Sequence, residues 1–152
     1  MKITPLNREN IGYVFEDLSD TSKGDALALG MTEEEMKKGF IDAIGTPFSA
    51  AFYAAFYNRL GECCSLFRVQ PVSNSVWRAY FVDRAGSLRA MAFALTKFFK
   101  QISDNLLQKD GITIEFQSRF GSGKSAEWFG LMGFKSIGSI DGIITYIKQR
   151  EG

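Results

Sequence analysis

The chain has 152 residues and a formal net charge of +1, with 45% apolar and 23% charged residues. A chain of this length builds one domain whose core buries roughly two-thirds of the unfolded surface, so no metal or disulfide staple is required. The near-neutral charge removes the electrostatic case for a nucleic acid or an anionic membrane as partner. The absence of histidine removes the commonest general base, the Ser-His and Cys-His nucleophile pairs and most zinc geometries.

Cys63 and Cys64 are the only cysteines and are adjacent. Neighbours on a strand face opposite sides and a bond between them is strained, so both read as reduced packing residues and suggest a cytosolic compartment. The N-terminus, MKITPLNREN, has no apolar signal region, and no 18-residue apolar run occurs. No segment is expected to target or span a membrane.

Lys2 to Leu6 is a strand candidate. Asn7 to Leu18 reads as a helix: Asn7 caps it, Glu9 adds first-turn negative charge, and Ile11, Val14, Phe15 and Leu18 share a face. Asp20 to Leu29 carries no decisive pattern. Thr32 opens the next helix, with Glu33, Glu34 and Glu35 in its first turn and Gly45 and Pro47 as its stop. Its charge runs read as a solvated face. Phe48–Tyr57, Cys63–Val69 and Val76–Val82 are β-rich runs separated by turn residues, as in an antiparallel meander. Ser87 to Leu107 carries the strongest helical stripe: Leu88, Met91, Leu95, Phe98, Ile102 and Leu106 recur at spacings of three and four. Ile112–Phe116 is a short strand, Ser125–Met132 a short helix stopped by Gly133, and Gly142–Lys148 a last strand. The order β-α-α-β-β-β-α-β-α-β predicts one domain over residues 1–152, of the α/β (α+β) class. Its sheet is mixed and mostly antiparallel, with helices on both faces in three layers.

Two stretches carry a family resemblance. Trp77-Arg78-Ala79-Tyr80-Phe81-Val82-Asp83, followed by a turn and the long helix, resembles the fourth strand of GNAT-type N-acetyltransferases. Ser122 to Lys135 resembles that family's late helix, whose pattern is Asn-x-x-Ala-x-x-x-Tyr-x-x-x-Gly-Phe; Ser122, Ser125 and Phe129 stand at the first three positions, and Gly133-Phe134 match. The resemblance runs from Phe48 to the end and rests on element order more than on identities. It implies a fourth strand that splays from the fifth, so that the pantetheine arm of acetyl-CoA pairs with Tyr80, Phe81 and Val82. It also implies a pyrophosphate held by Arg84, Gly86, Ser87 and Leu88 at the helix N-terminus, where amides and dipole favour anions. Ser122, Lys124 and Phe129 complete the implied cofactor surface.

The sequence departs from the family in two places. The loop Asp83-Arg84-Ala85-Gly86-Ser87-Leu88 is short and has a single glycine, so fewer amides converge on a phosphate. It is either a cofactor loop or a plain helix start. Phe129 stands where the family often has a tyrosine that protonates the leaving thiolate, and phenylalanine has no proton to give. Glu115 and Asp83 are the available carboxylates for a general base, or else structural charges.

Ser118-Arg119-Phe120-Gly121-Ser122-Gly123-Lys124-Ser125 also resembles a Walker A phosphate loop. Too little chain follows it for the sheet and aspartate strand of such an enzyme. The aromatic residues Phe52, Tyr53, Phe56, Tyr57 and Phe67 either line a stacking groove or fill the core, and half-buried strands favour core. Trp77 and Trp128 read as packing residues.

Two functions follow from the resemblance. The first is an acetyl-CoA-dependent N-acetyltransferase acting by direct transfer to an amine, without metal; no nucleophile suited to a covalent intermediate is evident. The second is a non-catalytic structural or interaction protein that keeps the fold. A closer resemblance is to small GNAT-like proteins of short-tailed phages, internal virion proteins among them, which implies a host cytoplasm or virion. No motif names the acceptor amine or an oligomeric state.

Overall fold

A computed structural model describes residues 2–45, 52–86, 88–108, 112–118 and 123–149. The chain begins with strand β1 (Lys2–Thr4), followed by helices α1 (Arg8–Glu16), α2 (Asp20–Ala28) and α3 (Glu33–Ala43). Strands β2 (Phe52–Tyr57), β3 (Cys63–Pro71) and β4 (Val76–Asp83) lead to α4 (Leu88–Leu106). Then come β5 (Thr113–Ser118), α5 (Gly123–Leu131), β6 (Lys135–Ile140) and β7 (Ile143–Gln149).

Local chemistry sets the helix starts. Asn7 and Asn10 form a reciprocal capping box on α1, and Thr32 and Glu35 form another on α3. Ser19 caps α2 by accepting the Ser22 N–H at 3.1 Å. The segment without a decisive pattern is therefore a helix. Its sequence, DTSKGDALA, has too few apolar residues for a readable stripe, and tertiary contacts described below hold it in place. Strand β6 is the second element the sequence does not announce. It lies at the sheet edge, exposed along its whole length, with Gly138 at φ +135°. Without a buried face it has no alternation to read.

The sheet has seven strands in the order β1-β2-β3-β4-β5-β7-β6. All neighbours are antiparallel except β4 and β5, which run parallel and are joined through α4. Such a crossover carries a helix onto one face of the sheet. One core therefore lies beneath α4 and α5, built on Phe56, Phe67, Leu95, Phe99, Ile114 and Met132. The other lies beneath α1 and α3, built on Ile11, Val14, Phe40, Leu66 and Val82. Period-two alternation on β4 sends Trp77 and Ala79 to the first core and Tyr80 and Val82 to the second.

Two chemical details follow from this packing. Cys63 and Cys64 are both buried and in no disulfide; burial, with Cys64 beside it, pushes the Cys63 thiol up to about 11. A thiol so raised is unreactive at neutral pH. Iodoacetamide should therefore leave both cysteines unlabelled in the native protein and modify both in denaturant, as intact mass will report.

Gly133 ends α5 at φ +90°, and a Cβ there would lie 2.9 Å from Lys148 Cε. That side chain cannot yield freely, because its Nζ donates to Ser103 Oγ at 2.7 Å and pairs with Asp104 at 2.8 Å. Gly133→Ala should lower stability in urea unfolding by at least about 1–2 kcal/mol, the cost of the left-handed backbone for a residue with a Cβ.

Candidate functional site

The parallel pair is short. Register runs from Val76–Thr113 to Ala79–Phe116 and stops there. Beyond that point β4 stays on β3 as far as Asp83–Ser65, and β5 stays on β7 as far as Ser118–Ile144. Each strand follows its outer neighbour, and the inner edges part in a fork whose apex is Ala79 and Phe116.

Alternation fixes what the fork exposes. The Arg84 N–H donates to Cys64 O at 2.8 Å and the Val72 N–H to Val76 O at 2.9 Å, so the even-numbered residues of β4 direct their main chain to β3. The odd-numbered ones face the fork. Trp77 and Ala79 meet β5. At the far end the connection between α1 and α2 forms an antiparallel bridge, Leu18 to Arg84. There the Ser19 N–H donates to Asp83 O at 3.0 Å and the Ala85 N–H to Asp17 O at 2.8 Å. Among the described residues, Phe81 is left between these two paired stretches, on about 13 Å of strand.

Helix α2 spans the fork. At its N-terminus Ser19 Oγ and Ser22 Oγ donate to Asp83 Oδ1 at 2.5 and 2.9 Å, and Ser22 Oγ accepts the Asp83 N–H at 3.0 Å. Further along, Asp25 Oδ1 accepts from Ser118 Oγ on β5 at 3.1 Å. One helix is thus bonded to both arms. Burial raises the Asp83 pKa against the opposing effect of the two serine hydroxyls. A small cavity sits at the apex on this side, lined by Asp25, Leu29 and Met36 from the helical layer and by Arg78 to Phe81, Phe116 and Gln117 from the sheet.

The opposite face is closed by rings. Trp128 of α5 lies 6.0 Å from Phe81 and 6.0 Å from Phe99, and its indole N–H donates to Thr96 Oγ1 of α4 at 2.7 Å. Phe99 in turn meets Phe81 edge-on at 5.3 Å. The fork thus has α2 on one face and these rings on the other.

The sequence-derived residues fall around this fork in different roles. Phe81 presents its main chain to the gap, whereas Tyr80 and Val82 turn theirs to β3. The Tyr80 ring lies under the Arg68 guanidinium at 4.1 Å, and Val82 is buried. Asp83 is buried and binds α2. Glu115 pairs with Arg78, its register partner across the parallel strands, accepting from Nε at 2.6 Å and lying 2.5 Å from the terminal nitrogen. Burial lowers the Arg78 pKa, but contacts with Tyr80 and Glu115 outweigh it and raise it overall. Arg84 turns away from α4: its guanidinium covers the Tyr13 ring at 3.9 Å and donates to the Tyr13 carbonyl. Gly86 takes φ +79°, the turn that starts the approach to α4. Phe129 is buried and stacks on Tyr146 with centroids 4.1 Å apart. Ser87 and Ser122 lie outside the described residues, and of Leu88 and Lys124 the helical backbone alone is described. Residues 119–122 of the Walker-like stretch also lie outside them. Among the described residues no group of His, Cys, Asp and Glu could hold a metal, and no helix is long and apolar enough to cross a membrane.

Asp17, Ser19, Ser22 and Asp25 were not legible as site residues. A serine at the start of a helix signals a cap, and nothing local says that the same hydroxyl meets a carboxylate 64 positions away. Ser22→Ala removes the acceptor of the buried Asp83 N–H. It should cost about 1–3 kcal/mol in chemical unfolding and speed hydrogen exchange at the Asp83 amide.

No protein-family model and no curated protein matches the sequence. Solved structures do match the fold. The PaiA N-acetyltransferase from Thermoplasma acidophilum, solved in complex with coenzyme A, superposes with a TM-score of 0.69 at 9% identity, over 98% of each chain. The GNAT domain of S. lividans PAT gives 0.67 at 16% identity, over 95% of this chain and 88% of that one. The aminoglycoside 6'-N-acetyltransferase from Enterococcus faecium gives 0.60 at 15%, over 97% and 96%. The chain has the GNAT fold of N-acetyltransferases. None of these three neighbours bears on the likeness to phage proteins.

Proposed function

We propose that the protein is an N-acetyltransferase that receives acetyl-CoA in the β4–β5 fork and transfers the acetyl group directly to an amine. The observation that carries this reading is the fork itself, with the Phe81 main chain turned into it and the N-terminus of the 19-residue helix α4 following β4. An extended amide-bearing arm pairs with such an edge as a strand would. The first turn of a long helix then receives the anionic end of the same ligand, through N–H groups that have no partner within the helix and through its dipole. The Arg84 and Ala85 amides already bond to Cys64 and Asp17, so anion binding falls to Gly86 and the start of α4. The coenzyme A complex of the Thermoplasma acidophilum neighbour supports the same reading.

The residues of this chain divide the work. Phe81 orients the arm through its main chain, and the last β4–β5 pair, Ala79 with Phe116, sets how deep the arm reaches. Trp128 and Phe99 keep water from the far side, which strengthens every electrostatic interaction at the reacting carbonyl. Phe129 donates no proton, so the leaving thiolate takes its proton from the attacking amine or from solvent.

The second reading, a non-catalytic interaction protein on the same fold, is favoured by one specific observation. The Asp17–Ser19 segment and α2 bond across the fork, and this narrows the edge offered to a ligand to Phe81. Titration separates the two. Acetyl-CoA at about 100 times its Kd adds about 2.7 kcal/mol, which for a domain of this size raises Tm by about 5–10 °C. A shift of that order, with calorimetric 1:1 binding, is expected; an unmoved melting curve at saturating acetyl-CoA would leave the interaction reading standing.

A further inference from the structure

Helix α2 is held across the fork by polar bonds rather than by a packed face. Of its nine residues, DTSKGDALA, the buried ones are Ser22, Gly24 and Ala26, and Leu27 is 70% exposed. Helices α1 and α3 instead send Ile11, Val14, Met36 and Phe40 into the core beneath them. A helix with so little apolar surface in the core gives up little when it lifts off the sheet.

The two ends of α2 are attached differently. At the N-terminal end Leu18 is buried in that core, and the buried Asp83 bonds to Ser19 and Ser22. At the C-terminal end the half-buried Asp25 reaches β5 through the Ser118 hydroxyl at 3.1 Å. The chain then turns at the exposed Gly30, which has φ +71° and no packing neighbour within 4 Å. A glycine in open space absorbs a backbone rotation that a packed residue resists.

We propose that α2 is a hinged cover on the fork. It pivots at its Asp83 end and opens at its Asp25 end, while α1 and α3 stay in place. Closed, it bridges β4 and β5 and lies over Arg78 to Phe81, Phe116 and Gln117. The space left beneath it then holds no more than a water. Open, it uncovers the stretch of β4 where the Phe81 main chain faces the gap. Resting on the acetyltransferase reading, acetyl-CoA takes the open form, and its apparent affinity is reduced by the fraction of molecules that are open.

Hydrogen exchange on the full chain tests the cover without a ligand. The Leu29 and Met31 amides donate to Asp25 O and Ala26 O. They should exchange at least about 10-fold faster than the interior amides of α1 and α3, with little dependence on urea, the mark of a local opening. Asp25→Ala should speed them by roughly a further 10-fold, the loss of one charge-assisted bond, and leave the Asp83 amide at the pivot unchanged. The same variant should bind acetyl-CoA more tightly by a comparable factor in calorimetry. Equal urea dependence in α1, α2 and α3 would overturn the cover, as would an Asp83 amide that speeds up together with Leu29 and Met31. Faster exchange in Asp25→Ala with unchanged acetyl-CoA affinity would overturn its hold on the ligand. The expected exchange pattern in a chain that binds no acetyl-CoA, wild type or variant, would support the cover and remove the acetyltransferase reading.

Discussion

The structure turns on how one edge of β4 is shared. A strand has two edges, and β4 gives the first entirely to β3. The second is divided between β5, which takes Trp77 and Ala79, and the Asp17–Ser19 connection, which takes Asp83 and Ala85. Every buried main-chain N–H and C=O needs a partner. The residue left between the two, Phe81, is therefore where the sheet invites an outside strand or ligand. The fork arises because the outer pairings outlast the inner one, and β4–β5 contact ends four residues into β4.

That division explains the placement of the rest. Asp83 is buried against its preference for water, and its cost is offset by two hydroxyl donors that are themselves the start of α2. The same helix reaches β5 through Asp25 and Ser118, so this face of the fork is built by a segment with little apolar surface of its own. On the other face, a chain of rings from Phe56 through Phe99 to Trp128 replaces a polar wall. The fork is therefore bounded by hydrogen bonds on one face and by rings on the other.

The shortened turn after β4 acquires a meaning it lacks in isolation. Its first two amides serve the sheet and the α1–α2 connection, and Arg84 serves Tyr13. The turn joins the two halves of the helical layer to the sheet as well as starting α4. An acetyltransferase on this frame relies on Gly86 and the helix start for anions; an interaction protein would keep the same joints for stability alone.

The strongest periodic signals in the sequence correspond to real elements: the apolar stripe of α4, the alternating strands β3 and β4, the caps at Asn7 and Thr32, and the glycine that ends α5. These depend on residues within a few positions of one another, and local patterning is sufficient to specify them. Helix α2 and strand β6 were not legible, because one is fixed by Asp83 and Ser118 and the other by an edge pairing to β7 with no buried face. Strand order carries Asp83 to the end of β4, Arg84 to the turn after it and Glu115 onto β5, and that much follows from local pattern. What each one bonds to was decided by tertiary structure alone. Register set Glu115 opposite Arg78, and chain return brought Ser19 and Ser22 to Asp83 and Asp25 to the apex. A hydrogen bond between residues 61 to 93 positions apart leaves no trace in spacing, for its geometry exists after the sheet and both helical layers have closed.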